Sequence, residues 1–393
     1  MEKMLLIKGG HVWHPDSQTH GSQDIVIDVD GTVRSIFPSG QEPGLAPGSY
    51  DILDAADCWV TPGLVDLHAH VFQYVTEFSL DADEVGVSSG VTTVVDGGSA
   101  GVLSLPAFAK LIAPSVHTKV FAFVDVSLIY LGDLKFTSHR VGLPNHPYNF
   151  SVDRLVEAVS TYPRLVKGFK VRATRPSGSH DVPLAMQTAK AAQAEHPVPI
   201  MVHLGKFPYA DFPDTGELLA MLGPGDLVTH AFRGGSYGLL DREMRVRPEV
   251  VEARERGVLL DVGQEHSLHF GVIRNLLDQG ILPDTLSTDL AVNTLHLPDP
   301  MLLDLMTKFL ALGMEFMDVL RTVTTRPAQI LGRTDLAQIR VGSKANLSIL
   351  NRVVPDIGQA RLQDGYGQTV TYPWRLAPNA TVIGRAVFQP SSS

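Results

Sequence analysis

An α/β fold, a (β/α)8 TIM barrel with a small β-sandwich domain built from both chain ends, is what this sequence predicts. Three observations predict it. The central region, residues 61–337, repeats apolar strand, loop and helix, which is the pattern of parallel βαβ units. Short strands of alternating polarity lie at both ends of the chain. The polar residues of the central region gather where its strands end, and barrels of this kind keep their catalytic groups at the C-terminal ends of strands.

Residues 1–60 read as LLIKGGHVW, then DIVIDVDGTVRSIF with Asp30-Gly31 as a hairpin signal, then DILDAADCWV. The alternation resumes at Asn346–Asn351, Thr369–Trp374 and Thr381–Phe388, so residues 1–60 and 338–393 are expected to form one β-domain. Between them stand eight strand candidates: Leu64–His70, Thr92–Asp96, Lys119–Val126, Val166–Arg172, Val198–His203, Asp226–His230, Val258–Val262 and Thr285–Asp289. Stretches such as VDRLVEAVSTY and VPLAMQTAKAAQAE carry apolar residues at helical spacing. A barrel needs roughly 250 residues, which this region supplies, and a doubly wound open sheet is the alternative. After the last strand, Met301, Met306, Met314 and Met317 read as core packing. Arg326-Pro327 opens a last short helix that Gly332 ends.

Composition narrows the function classes. Lys+Arg 32 against Asp+Glu 42 gives a net charge of −10 with no basic run, which argues against nucleic acid or an anionic membrane as partner. Leu5–Ile7 is too short for a signal-peptide core and no run approaches a membrane span, so a cytoplasmic protein is expected. The single cysteine, Cys58, excludes an internal disulfide and reads as buried filler.

The stretch VTPGLVDLHAHV ends an apolar run in His68 and His70, whose spacing of two sends both imidazoles the same way from a strand. Imidazole is a good zinc ligand, and zinc takes three or four such groups. Other strand ends supply more: His203 after VPIMV, His230 after DLVT, Asp289 after TLST. Alone, either histidine reads as a hydrogen-bonded core residue and Asp289 as a helix cap; together, five such residues at four strand ends read as a metal-ligand set. In VKGFKVRAT, Lys170 and Arg172 share a face and Lys167 takes the other, so Lys170 is the lysine aimed at the barrel mouth. A buried lysine is costly unless its charge is lost or paired.

With these motifs in hand the chain resembles the amidohydrolase superfamily over nearly its whole length. The resemblance runs through GLVDLHAH, SGVTTVVDGGSAG, GFKVR, His203, His230, LSTD, RPAQILG and VGSKANLSIL. It implies two divalent metal ions, zinc by ligand type. His68, His70 and Asp289 would hold one and His203 and His230 the other, and Lys170, carboxylated to N6-carboxylysine, would hold both. Asp289 would move the proton as general base and then general acid. GSAG and GFKVRA look most like the dihydroorotase-like deacetylases, which implies cleavage of an amide or ester in N-acetyl amino acids or O-acetyl hydroxy acids. Cyclic amide hydrolysis, of the dihydroorotase or hydantoinase type, is the alternative. A deaminase is less expected, because Lys206 stands where those enzymes place glutamate in a His-x-x-Glu pattern.

A small, carboxylate-bearing substrate is the expected partner. Arg172 and Arg233 are the candidates to bind it, with Arg175 and Lys206 also following strand ends and Tyr130, Tyr209 and Tyr237 at the same mouth. His266 and His269 in GQEHSLHF read as loop, without the glycine-rich wording expected of the deacetylases. Members of this group commonly form homo-oligomers, and one is expected here.

Overall fold

The computed structural model describes residues 2–41, 44–130, 132, 142–143, 146–173, 182–205, 214–235, 237–356 and 358–390. Seven parallel strands pair in chain order: Leu64–Ala69, Val91–Asp96, Lys119–Asp125, Val166–Ala173, Ile200–Leu204, Leu227–Thr229 and Leu259–Leu260. Residues 285–290 take the eighth position through two isolated parallel bridges, Asp261 with Thr285 and Ala69 with Leu290. Asp289 N donates to His68 O at 2.6 Å and Gln264 N to Ser287 O at 2.9 Å, so the curled sheet closes on its first strand. The TIM barrel read from the sequence is the fold observed.

Strand periodicity divides the lumen into an apolar end and a polar end. Val65, Leu67, Val95, Phe121, Phe123, Met201 and Leu227 form one buried cluster with Ala328, Leu331, Leu336 and Ala337. Two residues further along the same strands stand Asp125, His203 and Thr229, which share the face of Phe123, Met201 and Leu227 by the two-residue period. Apolar packing therefore supports the polar rim from below. Phe123 is 0% exposed, and its replacement by alanine is expected to lower stability by about 3–5 kcal/mol, read as a fall in urea midpoint without a new activity optimum.

The first strand departs from simple alternation. Its partners on the second strand advance from Val94 to Asp96 while it advances from Asp66 to Ala69, so one extra residue is accommodated there. Such a bulge re-aims side chains beside it. Val65 and Leu67 join the lumen cluster, and His68 then faces Lys170 in the same lumen.

Helices pack outside: Val152–Thr161, capped by the Ser151 side chain, Val182–Glu195, Leu302–Ala311, Phe316–Thr322 and Thr325–Ile330. Met306 and Met314 are buried in the main core, and Met301 and Met317 pack against it. Among the described residues no helix is long and apolar enough to cross a membrane.

Both chain ends meet in one eight-stranded sheet, in the order Ala386–Phe388, Arg375–Ile383, Asn346–Val353, Trp59–Pro62, Met4–His14, Thr19–Ile27 and Val33–Pro38, with Tyr50–Asp54 beside Met4–His14. Thr32 and Lys344 form an antiparallel bridge, which brings the far strand back toward the other edge. Ile7, Ile25, Ile27, Val60, Leu347, Ile349 and Val382 form its own core. Cys58 is buried there, and burial raises its thiol pKa.

One stretch of the predicted β-domain sits elsewhere. Among the described residues, Thr369–Tyr372 pairs with Ala360–Gln363 alone, as a two-stranded hairpin outside the large sheet. Alternation marks a half-buried strand but does not name its partner. Here the hairpin reaches the barrel: Asp364 accepts from Phe270 N at 2.9 Å, and Gly365 N donates to Leu268 O at 3.1 Å.

Candidate metal centre

Six side chains converge at the C-terminal mouth. His68 Nε2 and His70 Nε2 lie 3.0 and 2.9 Å from Asp289 Oδ1. Asp289 Oδ2 is 3.5 Å from His230 Nε2, Lys170 Nζ is 2.9 Å from His68 Nε2, and the rings of His203 and His230 are 4.0 Å apart. His68, His70, Lys170, His230 and Asp289 are buried, and His203 is partly so. Asp289 and His230 adopt φ of +53° and +60°. Residues with side chains reach this left-handed region at a cost, and such strain collects at functional sites.

Hydrogen bonding fixes which imidazole nitrogens face inward. Thr229 Oγ1 donates to Asp261 Oδ2 at 2.7 Å, so it accepts from His68 Nδ1 at 3.0 Å. Ser99 Oγ donates to Asp96 Oδ2 at 2.5 Å, so it accepts from His70 Nδ1 at 2.9 Å. His230 Nδ1 donates to Gly263 O at 2.7 Å. Each of the three rings thus carries its proton on the outer nitrogen and turns an Nε2 lone pair to the centre, the arrangement that orients metal-bound histidines.

This donor set fits divalent ions. Among the described residues, no hydrogen-bond donor satisfies the buried His230 Nε2 and Asp289 Oδ1. His68, His70 and Asp289 form one group able to hold an ion, and His203, His230 and Glu265 form another. Contacts near 3 Å between ligand atoms are what ligands about 2.0–2.1 Å from one zinc would make.

The electrostatics agree. Burial opposes ionisation of Asp289, yet positive charge at the Nε2 side of His68 and His70, carried by protons or by metal ions in their place, holds its carboxyl well below the usual range. Burial keeps His68 and His203 neutral and pulls His230 down to about 4. Burial, with Arg172 acting in the same direction, lowers Lys170 to about 7. About half of the amine is then uncharged near neutral pH, and that half is a nucleophile.

Arg172 shares the inward face with Lys170, as its phase required. Its guanidinium is committed to Asp125 Oδ2 at 2.9 Å and Gly98 O at 2.8 Å, and it lies over the buried Tyr130 ring at 4.3 Å. Arg233 is 7% exposed and donates to Leu204 O, while its Nε has no partner among the described residues. It lines a cavity of about 690 Å³ with Tyr237, Gly234 and His269. Arg175, Lys206 and Tyr209 lie outside the described residues.

Sequence reasoning missed Glu265 and the supporting carboxylates Asp96, Asp125 and Asp261. Burial, reinforced by the Asp289 charge, raises Glu265 to about 7. The signal was available in part, since each of the three aspartates closes or directly follows an apolar strand. His269 caps the helix Phe270–Asp278, its Nδ1 accepting from Val272 N at 3.2 Å, and its ring meets Tyr366 at 4.8 Å. His266 faces His296, ring centres 5.8 Å apart.

No protein-family profile matches the chain. A deacetylase of Brucella anthropi is 30% identical over 378 residues, covering 95% of this chain and 88% of that protein. A deacetylase of Agrobacterium fabrum is 30% identical over 93% of this chain and 86% of its own length. Among solved structures, a dihydroorotase superposes with a TM-score of 0.84 at 29% identity, covering 99% and 98% of the two chains. An adenine deaminase does so with 0.84 at 25% identity, covering 98% and 99%. Near-complete coverage at these identities, on a shared barrel, establishes that the chain belongs to the amidohydrolase superfamily of hydrolases, in its dihydroorotase-like deacetylase group.

Proposed function

We propose that this protein is a binuclear zinc-dependent hydrolase that removes the acetyl group from N-acetyl amino acids or O-acetyl hydroxy acids. The observation that carries the reading is the convergence of His68, His70 and His230 Nε2 lone pairs on Asp289 beside a buried lysine. His68, His70 and Asp289 would hold one ion, His203 and His230 the other. Lys170 would span them as N6-carboxylysine, formed when its neutral Nζ adds to carbon dioxide and releases a proton. Metal ions so placed supply a Lewis acid for the scissile carbonyl and bring the pKa of water toward about 7.

The chain's own residues do the rest. Asp289, held ionised, takes the proton of the attacking water and returns it to the departing amine or alkoxide. Among the described residues, Arg233 has spare donor capacity at the mouth to bind the substrate carboxylate. Arg172, spent on Asp125 and Gly98, positions the loop after the second strand against Lys170.

A panel of N-acetyl amino acids of both hands, O-acetyl hydroxy acids, dihydroorotate and hydantoins, offered to zinc-loaded protein, tests this reading. Turnover of the acetylated acids with a preference for one hand is expected. Turnover of the cyclic amides alone would replace it with the dihydroorotase reading, which a 106-residue match of 34% identity to a dihydroorotase of Anaeromyxobacter dehalogenans makes specific. Arg233→Met should raise KM for the preferred acid about 10- to 100-fold, the loss of a charge-assisted hydrogen bond worth roughly 1.5–3 kcal/mol, with kcat changed far less.

A further inference from the structure

The second cluster at the barrel mouth contains a carboxylate that the ligand assignment above leaves unused. Glu265 follows the seventh strand, and one donor atom from each of His203, His230 and Glu265 lies within 4.8 Å of the other two. Its Oε2 stands 3.9 Å from His230 Nδ1. His230 is 0% exposed; the Nδ1 nearest Glu265 already donates to Gly263 O, and the other ring nitrogen, Nε2, meets no hydrogen-bond donor among the described residues.

The loop is built to hold Glu265 there. Its backbone is left-handed, with φ +35°, and three contacts maintain it. Glu265 N donates to Thr288 O at 3.2 Å. Gln264 Oε1 accepts at 2.8 Å from Lys308 Nζ, a lysine 1% exposed that also donates to Asp299 O at 2.9 Å. The hairpin tip closes the other side, where a Cβ on Gly365 would lie 2.1 Å from His266 O. An unfavourable conformation enforced from several directions fixes where a side chain begins.

We propose that Glu265 is a protein ligand of the second divalent ion, giving it a two-histidine, one-carboxylate set of His203, His230 and Glu265. The inference rests on the binuclear reading and deepens it. Two ligand atoms each about 2.1 Å from one ion can be at most ~4.2 Å apart, and the atoms lie within 4.8 Å of one another, so a closing shift of at most about 0.6 Å brings them into range. Charge favours that shift. Two neutral imidazoles contribute no charge, so beyond a carbamate that both ions would share, a carboxylate is what would offset the charge of this one. Three protein ligands are also enough to retain an ion without a carboxylated Lys170.

Zinc content, measured by inductively coupled plasma mass spectrometry after dialysis against graded free zinc, tests the assignment. Wild-type protein is expected to hold two ions per chain. Glu265→Gln, which keeps the shape and loses the charge, should hold one at the free zinc that saturates the wild type. It should need about tenfold more or greater to fill the second site, since even a hydrogen-bonded neighbour of a ligand is worth about 10–100-fold. Glu265→Asp should fall between the two, and it decides the matter if the glutamine variant does not fold. Two ions retained by Glu265→Gln at wild-type affinity, or by Glu265→Asp where it alone folds, would overturn the ligand role and leave the binuclear reading standing. One ion in the wild type would overturn that reading, and this one with it.

Discussion

Asp289→Asn is expected to lower kcat by about 10³- to 10⁴-fold, the upper part of what a positioned acid–base group contributes. The substitution is unusually clean. Asparagine matches aspartate in size, and its amide oxygen can still face His68 and His70, which lie 3.0 and 2.9 Å from Oδ1. It also tolerates the left-handed backbone at φ +53° better than almost any other residue with a side chain. What disappears is a carboxylate that positive charge beside His68 and His70 keeps ionised against the effect of burial. The amide cannot take a proton from water at neutral pH. Turnover should therefore collapse, even at free zinc that keeps both sites filled, while KM and melting temperature change little. A kcat within tenfold of wild type would remove Asp289 from proton transfer and leave it a structural neighbour of the histidines.

The parts of the fold and site legible in the sequence share one physical origin. Buried parallel strands are apolar runs, so a histidine or aspartate that ends one stands out, as His203, His230 and Asp289 do. Period-two alternation also separated Lys170 from Lys167, and the structure turns Lys170 into the lumen while Lys167 Nζ donates to Pro163 O in an exposed contact. Features set by contacts between distant segments were not legible. The Arg172 phase was right, but nothing in GFKVRA announces that Asp125, 47 positions earlier, neutralises it. Glu265 follows a strand of only two residues, Leu259–Leu260, and its direction depends on a positive φ that alternation does not describe. The hairpin Ala360–Gln363 and Thr369–Tyr372 alternates like the strands of the large sheet, and only its partners distinguish it.

Lys170→Met should cost about 10³-fold in kcat/KM, equivalent to roughly 4 kcal/mol of transition-state stabilisation. The reasoning starts from burial. Lys170 is 1% exposed and its Nζ is 2.9 Å from His68 Nε2, a nitrogen whose lone pair is turned toward the metal position. An ammonium there would repel a dication, and a neutral amine would contribute no charge. A carbamate reverses the sign, placing an anion that both sites would share. Methionine approximates the length of the stem and keeps the packing against Met201, so the loss would report the missing anion and not a collapsed core. Two further results separate carboxylation from a plain amine. Protein stripped of metal and reloaded in buffer free of carbon dioxide should recover activity slowly, and added bicarbonate should restore the rate in wild type but not in Lys170→Met. Protein reloaded in ¹³C-bicarbonate should show a carbamate resonance that the variant lacks. Equal recovery with and without bicarbonate, together with no such resonance, would leave Lys170 an ordinary buried amine and require another group to balance the charge of two ions.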